Sequence, residues 1–235
     1  NLDSDSFGSI IDEMVGDLNS SHTGFYPARE PDVQNLPSAS LGAEFDLITR
    51  LDKGLKVSKV YDSSALRTVH GINAGDVLLS VDGVEITNTT DVFRLTVNKT
   101  GEKIKLDFLQ NGKIVTAEIK GLDSDYDLKY ETWINERAEM TGKLSGGKIG
   151  YAHIQGMSNG PLNKFIEDIY AKNYDKQALI IDVRYNGGGY THDQLIELLT
   201  KRQYAFTSER WTGNKKLKAP ADIWDKPSVV LINNR

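Results

Sequence analysis

Ala178-Leu-Ile-Ile-Asp-Val-Arg-Tyr-Asn-Gly-Gly-Gly189 is the stretch on which the fold turns. Its apolar, β-branched start followed by stacked glycines predicts a buried strand that breaks into a sharp turn. Behind it stand Thr191, with Gln194 three residues on, and Leu195-Ile-Glu-Leu-Leu199. That spacing predicts a helix with Thr191 as its N-cap in a capping box. Three glycines thus separate a strand's carboxyl end from a helix's amino end, where N–H groups are unpaired and the helix dipole favours negative charge. Without side chains, a ligand can approach the backbone closely. The stretch predicts an anion or oxyanion cradle, with a purely structural tight turn as the alternative. It contains no Gly-x-Gly-x-x-Gly and no Gly-Lys-Ser/Thr, which sets nucleotide phosphates aside.

Outward from this turn the pattern is α/β. Ile149–Ile154 reads as the strand before, and Pro161 opens a helix whose apolar face is Leu162, Phe165, Ile166, Ile169 and Tyr170. Ser228–Asn233 reads as a third strand. Strand, helix, strand, helix, strand predicts a parallel sheet with right-handed crossovers. A connecting helix is expected around Thr132–Thr141, and the basic stretch Lys201–Lys218 (Arg202, Arg210, Lys215, Lys216, Lys218) as a solvated loop. Leu41–Leu122 has the texture of a small β-rich module. Leu55–Val60 and Asp76–Asp82 read as strands, Thr90–Val97 as a short helix, and Lys103–Gln110 with Lys113–Ile119 as a hairpin about Asn111-Gly112. Phe7, Ile10, Ile11, Met14, Val15 and Leu18 mark an amphipathic first helix, followed by the polar turn Asn19–Gly24. Ala28–Ser40, with Pro31 and Pro37, reads as a linker.

The bulk composition narrows the function classes. The net charge of −5 and pI near 5.4 give no electrostatic case for nucleic acid or an anionic membrane. There is no cysteine, so disulfides, thiolate metal sites and a cysteine nucleophile are excluded together. No apolar run has membrane-spanning length, and Asn1-Leu-Asp-Ser4 does not open a signal peptide. The first residue is not Met and Val229–Arg235 reads as a strand with nothing after it, so a piece of a longer polypeptide is expected. His153 reads as a hydrogen-bonded strand residue, His70 as a turn residue, and His192 with Asp193 as solvated helix-start residues. No His, Asp and Glu trio has metal-binding spacing.

Asp182-Val-Arg-Tyr-Asn-Gly-Gly-Gly189 resembles the Asp-x-Arg-x-Asn-x-Gly-Gly segment of the tail-specific and tricorn protease superfamily. Ile149–Ile154 resembles the strand before it, and Val229–Arg235 the strand that delivers a nucleophilic serine. Leu18-Asn-Ser-Ser-His-Thr-Gly24 is similar to the segment supplying the catalytic histidine in the tricorn branch. The resemblance implies His22 as general base, Ser21 as the serine that orients it, and Gly187 or Gly188 as an oxyanion-hole amide. A neutral imidazole within reach of a serine hydroxyl, itself held by a partner on its other nitrogen, is what acyl transfer needs. Leu41–Leu122 resembles a PDZ domain, with Leu41-Gly-Ala-Glu-Phe45 similar to its carboxylate-binding loop. Leu41, Gly42 and Phe45 are the peptide-binding residues this implies, although Glu44 stands where a small or apolar residue is usual. Such domains take an extended peptide end as an added strand; a spacer or gate is the other reading.

The expectation is therefore a helical segment (1–27), a linker (28–40), a PDZ-like domain (41–122) and the first part of an α/β protease domain (123–235). The implied activity is serine-type hydrolysis of peptides or unfolded polypeptides without metal or organic cofactor. The nucleophile and a glutamate are expected beyond Arg235, so this chain alone is expected to be inactive. A lysine beyond Arg235 would instead place it in the tail-specific branch. The resemblance further implies a homo-oligomeric parent in the cytoplasm, with the periplasm as alternative. A non-catalytic peptide-binding protein on the same scaffold is the competing reading.

Overall fold

A computed structural model describes residues 4–18, 24–25, 37–49, 51–208 and 216–233. The glycine turn grows out of a three-stranded parallel sheet. β7 (Ile149–His153), β8 (Ala178–Asp182) and β11 (Ser228–Leu231) lie in the order β11-β8-β7, with Ile149 opposite Ala178 and Ser228 opposite Leu179. Between them run α5 (Asn159–Glu167) and α6 (His192–Thr200). Pro161 falls in the first turn of α5, where its missing N–H has no intrahelical partner to lose. Beyond Glu167 the helix widens into a π-helical turn, Asp168–Lys172. That turn keeps Ile169 in the core, and buried Asp168 is paired with Lys172 at 2.6 Å. Leu162, Phe165, Ile169, Leu179, Ile181, Leu195, Leu198 and Trp224 form this core.

The β-rich module is antiparallel. β1 (Ala43–Phe45), β2 (Leu55–Val60), β3 (Val77–Val81), β5 (Lys103–Gln110) and β6 (Lys113–Lys120) lie in that order, and β4 (Val84–Glu85) pairs with β3. Asn111 and Gly112 both have positive φ, as the two-residue hairpin turn requires. Two short helices complete the module. α2 (Ala65–Thr68) is capped by Ser64 and was not evident in the sequence; α3 (Val92–Leu95) is capped by Asp91. Val57, Leu66, Ile72, Leu78, Ile104, Leu106 and Phe108 fill a second core. Ala39 belongs to it, and Ser40 bridges Leu122.

α4 spans Tyr126–Leu144 and joins the two cores. It begins six residues before the expected start. Its apolar residues are not gathered on one face, which hides it from a search for amphipathic periodicity. One side of it is bonded to the module: Lys59 Nζ to Glu136 at 2.6 Å, Ser63 Oγ to Glu131 at 2.7 Å, and Asp62 N to Thr132 Oγ1 at 3.0 Å. The other side packs on β7.

Two further expectations need correcting. The Lys201–Lys218 stretch contains an antiparallel pair, β9 (Ala205–Ser208) and β10 (Lys216–Ala219), with Ala205 opposite Ala219. The basic residues Lys216 and Lys218 are exposed on it as expected, whereas Arg210 and Lys215 lie outside the described residues. α1 (Ser4–Gly16) forms as expected, but Phe7, Ile10 and Met14 stay exposed; Phe7 meets Phe25, edge to face at 6.2 Å.

Candidate active site

The turn is anchored at Asp182, the last residue of β8, which is fully buried. Its carboxylate accepts from Arg184 N and Nε at 3.0 and 2.9 Å, from Arg184 Nη2 at 2.6 Å, and from the Tyr151 hydroxyl at 2.7 Å. Burial alone would raise the Asp182 pKa; the Arg184 and Tyr151 hydrogen bonds outweigh it and hold the group below its ordinary value. Burial and the bond to Asp182 push the Tyr151 hydroxyl upward in turn.

Past Asp182 the chain is pinned residue by residue. Val183 N donates to Leu231 O at 3.0 Å and Asn186 N to Val183 O at 3.2 Å. Tyr185 has φ +61, a conformation that disfavours a side chain, and its N–H donates to Asn233 Oδ1 at 3.2 Å. The Asn186 side chain bridges two loops: Nδ2 donates to Ile154 O at 2.8 Å and Oδ1 accepts from Gly188 N at 2.7 Å. Gly188 O accepts from Met157 N at 2.8 Å, and Met157 O accepts from Tyr190 N and Thr191 N at 2.7 and 3.1 Å. A Cβ on Gly189 would stand 2.2 Å from Met157 O, so only glycine fits there.

The N–H groups of Gly187 and Gly189 have no partner among the described residues. Space around Gly187 is open, with no heavy atom within 4 Å of a would-be Cβ. The turn therefore presents two unpaired N–H groups on exposed residues, Gly187 and Gly189, with the bonded Gly188 N–H between them. Thr191 is the N-cap residue of α6, but its hydroxyl caps nothing: the residue is fully buried, and Oγ1 has no partner. With ψ at 12° rather than extended, the Thr191 side chain cannot reach back to the first helical N–H groups, and the expected capping box does not form.

Aromatic side chains back the turn. Trp133 of α4 lies 5.3 Å from the His153 ring, 6.0 Å from Tyr130 and 6.2 Å from Tyr185, with the Arg137 and Arg184 guanidinium groups at 4.8 and 5.5 Å. His153 is buried; Nε2 is bonded to the Tyr130 hydroxyl, and Nδ1 closes no hydrogen bond. Burial lowers the His153 pKa and keeps the ring neutral, while the nearby Asp182 opposes that shift. Burial pushes the Tyr130 hydroxyl up to about 12. This cluster was not anticipated, although Tyr126, Tyr130, Trp133 and Arg137 follow i, i+4, i+7, i+11 spacing on one helix face.

Of the expected catalytic residues, Gly187 and Gly188 lie in this turn, while Ser21 and His22 fall outside the described residues. Leu41 and Phe45 line a separate groove of about 390 Å³ beside β1. Gly42 is not in its wall: φ is +74, its N–H is turned to Ser40 Oγ at 3.3 Å, and a Cβ would meet Ser64 Oγ at 2.6 Å. His70 Nε2 meets Glu118 O at 3.1 Å, and exposed His192 lies 3.4 Å from Asp193. Among the described residues no three His, Asp or Glu side chains gather as metal ligands, and no helix is long and apolar enough to cross a membrane.

Residues 148–235 match peptidase family S41, and residues 39–120 match the PDZ domain. The tricorn-like protease C-terminal subunit of Sulfurisphaera tokodaii is 27% identical over 231 residues, covering 94% of this chain and 26% of that protein. The tricorn protease homolog of Saccharolobus solfataricus is 29% identical over 236 residues, covering 94% of this chain and 21% of its own length. This chain is tricorn-like, similar to peptidase family S41 over residues 148–235 and to the PDZ domain over residues 39–120. The crystal structure of the tricorn protease has the same fold: TM-score 0.78 at 23% identity, over 98% of this chain and 23% of that one. The tricorn-like chain spans about a quarter of the length of these relatives. The glycine turn lies within the S41 match and the β1 groove within the PDZ match.

Proposed function

We propose that these residues are the histidine-bearing, PDZ and glycine-turn portion of a serine peptidase that hydrolyses peptides or unfolded polypeptides by acyl transfer. The Gly187 N–H carries the proposal: it is exposed, unpaired, and fixed at the carboxyl edge of a parallel sheet, where such folds bind ligands. Gly187 is preferred over Gly188 because the Gly188 N–H is already engaged by Asn186 Oδ1. The Gly189 N–H is unpaired as well, so the preference for Gly187 over Gly189 rests on the open space around Gly187. A preorganised donor of this kind is worth about 3–4 kcal/mol to an oxyanion.

In this proposal His22 takes the proton of a serine, and Ser21 relays the alignment of His22 from a glutamate. Both the serine and the glutamate come from sequence outside these 235 residues, so this chain alone does not hydrolyse peptides by the route. The units are 1–27, 28–40, 41–122 and 123–235, with Ala39 and Ser40 packed onto the third. A homo-oligomeric, cytoplasmic parent belongs to the same proposal. One observation favours a second reading, a peptide-binding protein without catalysis: the groove beside β1 is open whatever the fate of the turn.

The test uses the longer polypeptide that supplies the serine. Gly187→Pro deletes the N–H, and Gly187→Ala keeps it in open space. The proline variant should lose about 100-fold or more in kcat while the alanine variant keeps it. His22→Ala should cost orders of magnitude. A folded Gly187→Pro enzyme with undiminished kcat overturns the donor assignment, and the absence of any peptidase activity in the parent favours the binding protein.

A further inference from the structure

β1 is the edge of the antiparallel sheet among the described residues, paired with β2 on one side only. An edge strand beside a groove invites an added strand, whose side chains must point alternately to opposite faces. The two faces differ here. On the core side the groove is apolar, walled by Ala39, Leu41, Phe45, Val92 and Phe93. On the other side Glu44 points away from the core towards the start of α4.

There the Tyr61 hydroxyl donates to Glu44 Oε1 at 2.9 Å and approaches Asp125 Oδ2 at 3.4 Å. Lys129 pairs with Asp125 at 3.2 Å and lies 5.9 Å from the centre of the Tyr61 ring. Lys59, opposite Glu44 on β2, is paired with Glu136 at 2.6 Å, so on the groove wall two carboxylates face one ammonium, Lys129, the only cation among its described residues. The expected carboxylate-binding loop is also compromised, since the Gly42 N–H is directed to Ser40 Oγ. A free peptide carboxylate meets one committed lysine and two like charges, whereas a basic side chain brings the cluster to neutrality.

Resting on the reading of this module as a peptide-binding domain, we propose that the β1 groove takes an internal, extended polypeptide segment rather than a free carboxyl terminus. Apolar residues of the segment enter the Leu41, Phe45 and Val92 side. An intervening lysine or arginine sits at Glu44 and Asp125. A substrate class follows for the groove: unfolded chain with apolar and basic residues in alternation.

The experiment measures fluorescence anisotropy of labelled hexapeptides with the whole 235-residue chain. The probes alternate valine with lysine and carry an amidated end; matched probes carry a free carboxylate or have glutamate in place of lysine. The amidated lysine probe should bind, a free carboxylate should bring no gain, and glutamate should weaken binding about three- to ten-fold. Glu44 and Lys129 are exposed, and in Glu44→Lys the buried Tyr61 hydroxyl keeps Asp125 as its acceptor. Glu44→Lys should abolish or reverse the lysine preference, and Lys129→Gln should enlarge it. Carboxylate-dependent binding, or a preference unmoved by both substitutions, overturns the proposal while leaving peptide binding intact. Failure of all the probes to bind to a folded chain overturns the peptide-binding reading itself.

Discussion

The sharpest test of the turn is an alanine series at its three glycines, because their surroundings differ so much. At Gly187 a Cβ meets no atom within 4 Å and φ is not in the left-handed region. Alanine there should be neutral, or stabilise by up to about 1 kcal/mol by narrowing the unfolded ensemble. Gly188 also has free space, but its φ of +82 carries a penalty of roughly 1–2 kcal/mol for an L side chain. Gly189 adds to a φ of +138 a contact of 2.2 Å with Met157 O and 2.7 Å with Met157 C. Both atoms are backbone, so no side chain can swing away. Relief requires moving Met157, whose carbonyl accepts from Tyr190 and Thr191 and whose N–H donates to Gly188. Loss of two of these bonds at about 1 kcal/mol each, with the conformational penalty, puts Gly189→Ala at roughly 3–4 kcal/mol. Urea titration followed by Trp fluorescence reads the series, since Trp133 and Trp224 report on the parallel-sheet side. With two separate cores the unfolding need not be two-state, and only the parallel-sheet transition should move. At a urea slope of about 2 kcal/mol/M, the Gly189→Ala midpoint should fall by about 1.5–2 M. Equal midpoints for Gly187→Ala and Gly189→Ala would refute the geometry.

Tyr130→Phe keeps the ring against Trp133 but strips His153 Nε2 of its partner, leaving both imidazole nitrogens unpaired. Destabilisation of about 1–3 kcal/mol by chemical denaturation is expected. His153 has a lowered folded pKa, so the unfolded chain binds more protons, and the stability it contributes at neutral pH is lost as pH falls below about 6.5 towards the folded value. His153→Gln should flatten the denaturation midpoint across that window; an unchanged slope removes His153 as the source. Asp182 is likewise lowered, so its contribution persists above its unfolded value and is lost only at more acid pH. Asp182→Asn, which leaves the Arg184 guanidinium without a counter-charge, should cost about 2–3 kcal/mol at pH 7 and remove that acid-limb dependence.

The parallel sheet and the hairpin were legible because each rests on a local signal: apolar strands bounded by glycine, and Asn111-Gly112. Less legible was whatever depends on a partner distant in sequence. α4 was expected at less than its true length because its stabilising contacts go to two different units. Lys59 and Ser63 hold one side of it, and His153 and Tyr185 the other, so its residues do not segregate into one apolar stripe. Thr191 carried a sound capping signal, but the turn before it is bonded to Met157, which fixes its ψ and drives the side chain into the core. The choice between Gly187 and Gly188 had no sequence signal, since it depends on which way the Asn186 side chain reaches.

Asn186 also explains why an exposed N–H can persist in a turn containing a strained residue. Tyr185 at φ +61 costs about 1 kcal/mol. Its N–H bond to Asn233 and its ring contact with Trp133 offset that cost. The Arg184 guanidinium is held by Asp182 on one side and lies beside the same Trp133 on the other. Asn186 then uses both ends of its amide, one on Ile154 O and one on Gly188 N, so the residues flanking Gly187 are fixed from both directions. An N–H left over because its surroundings are saturated differs from one left over in a loose loop. The first keeps its direction without reorganising, which is the property that makes a backbone amide useful to developing negative charge. Asn186→Ala separates the two cases: it leaves Gly187 N–H unpaired but frees the turn. An oxyanion-directed inhibitor should then bind the proposed serine-bearing parent at least ten-fold more weakly, although no group proposed to touch it has been removed.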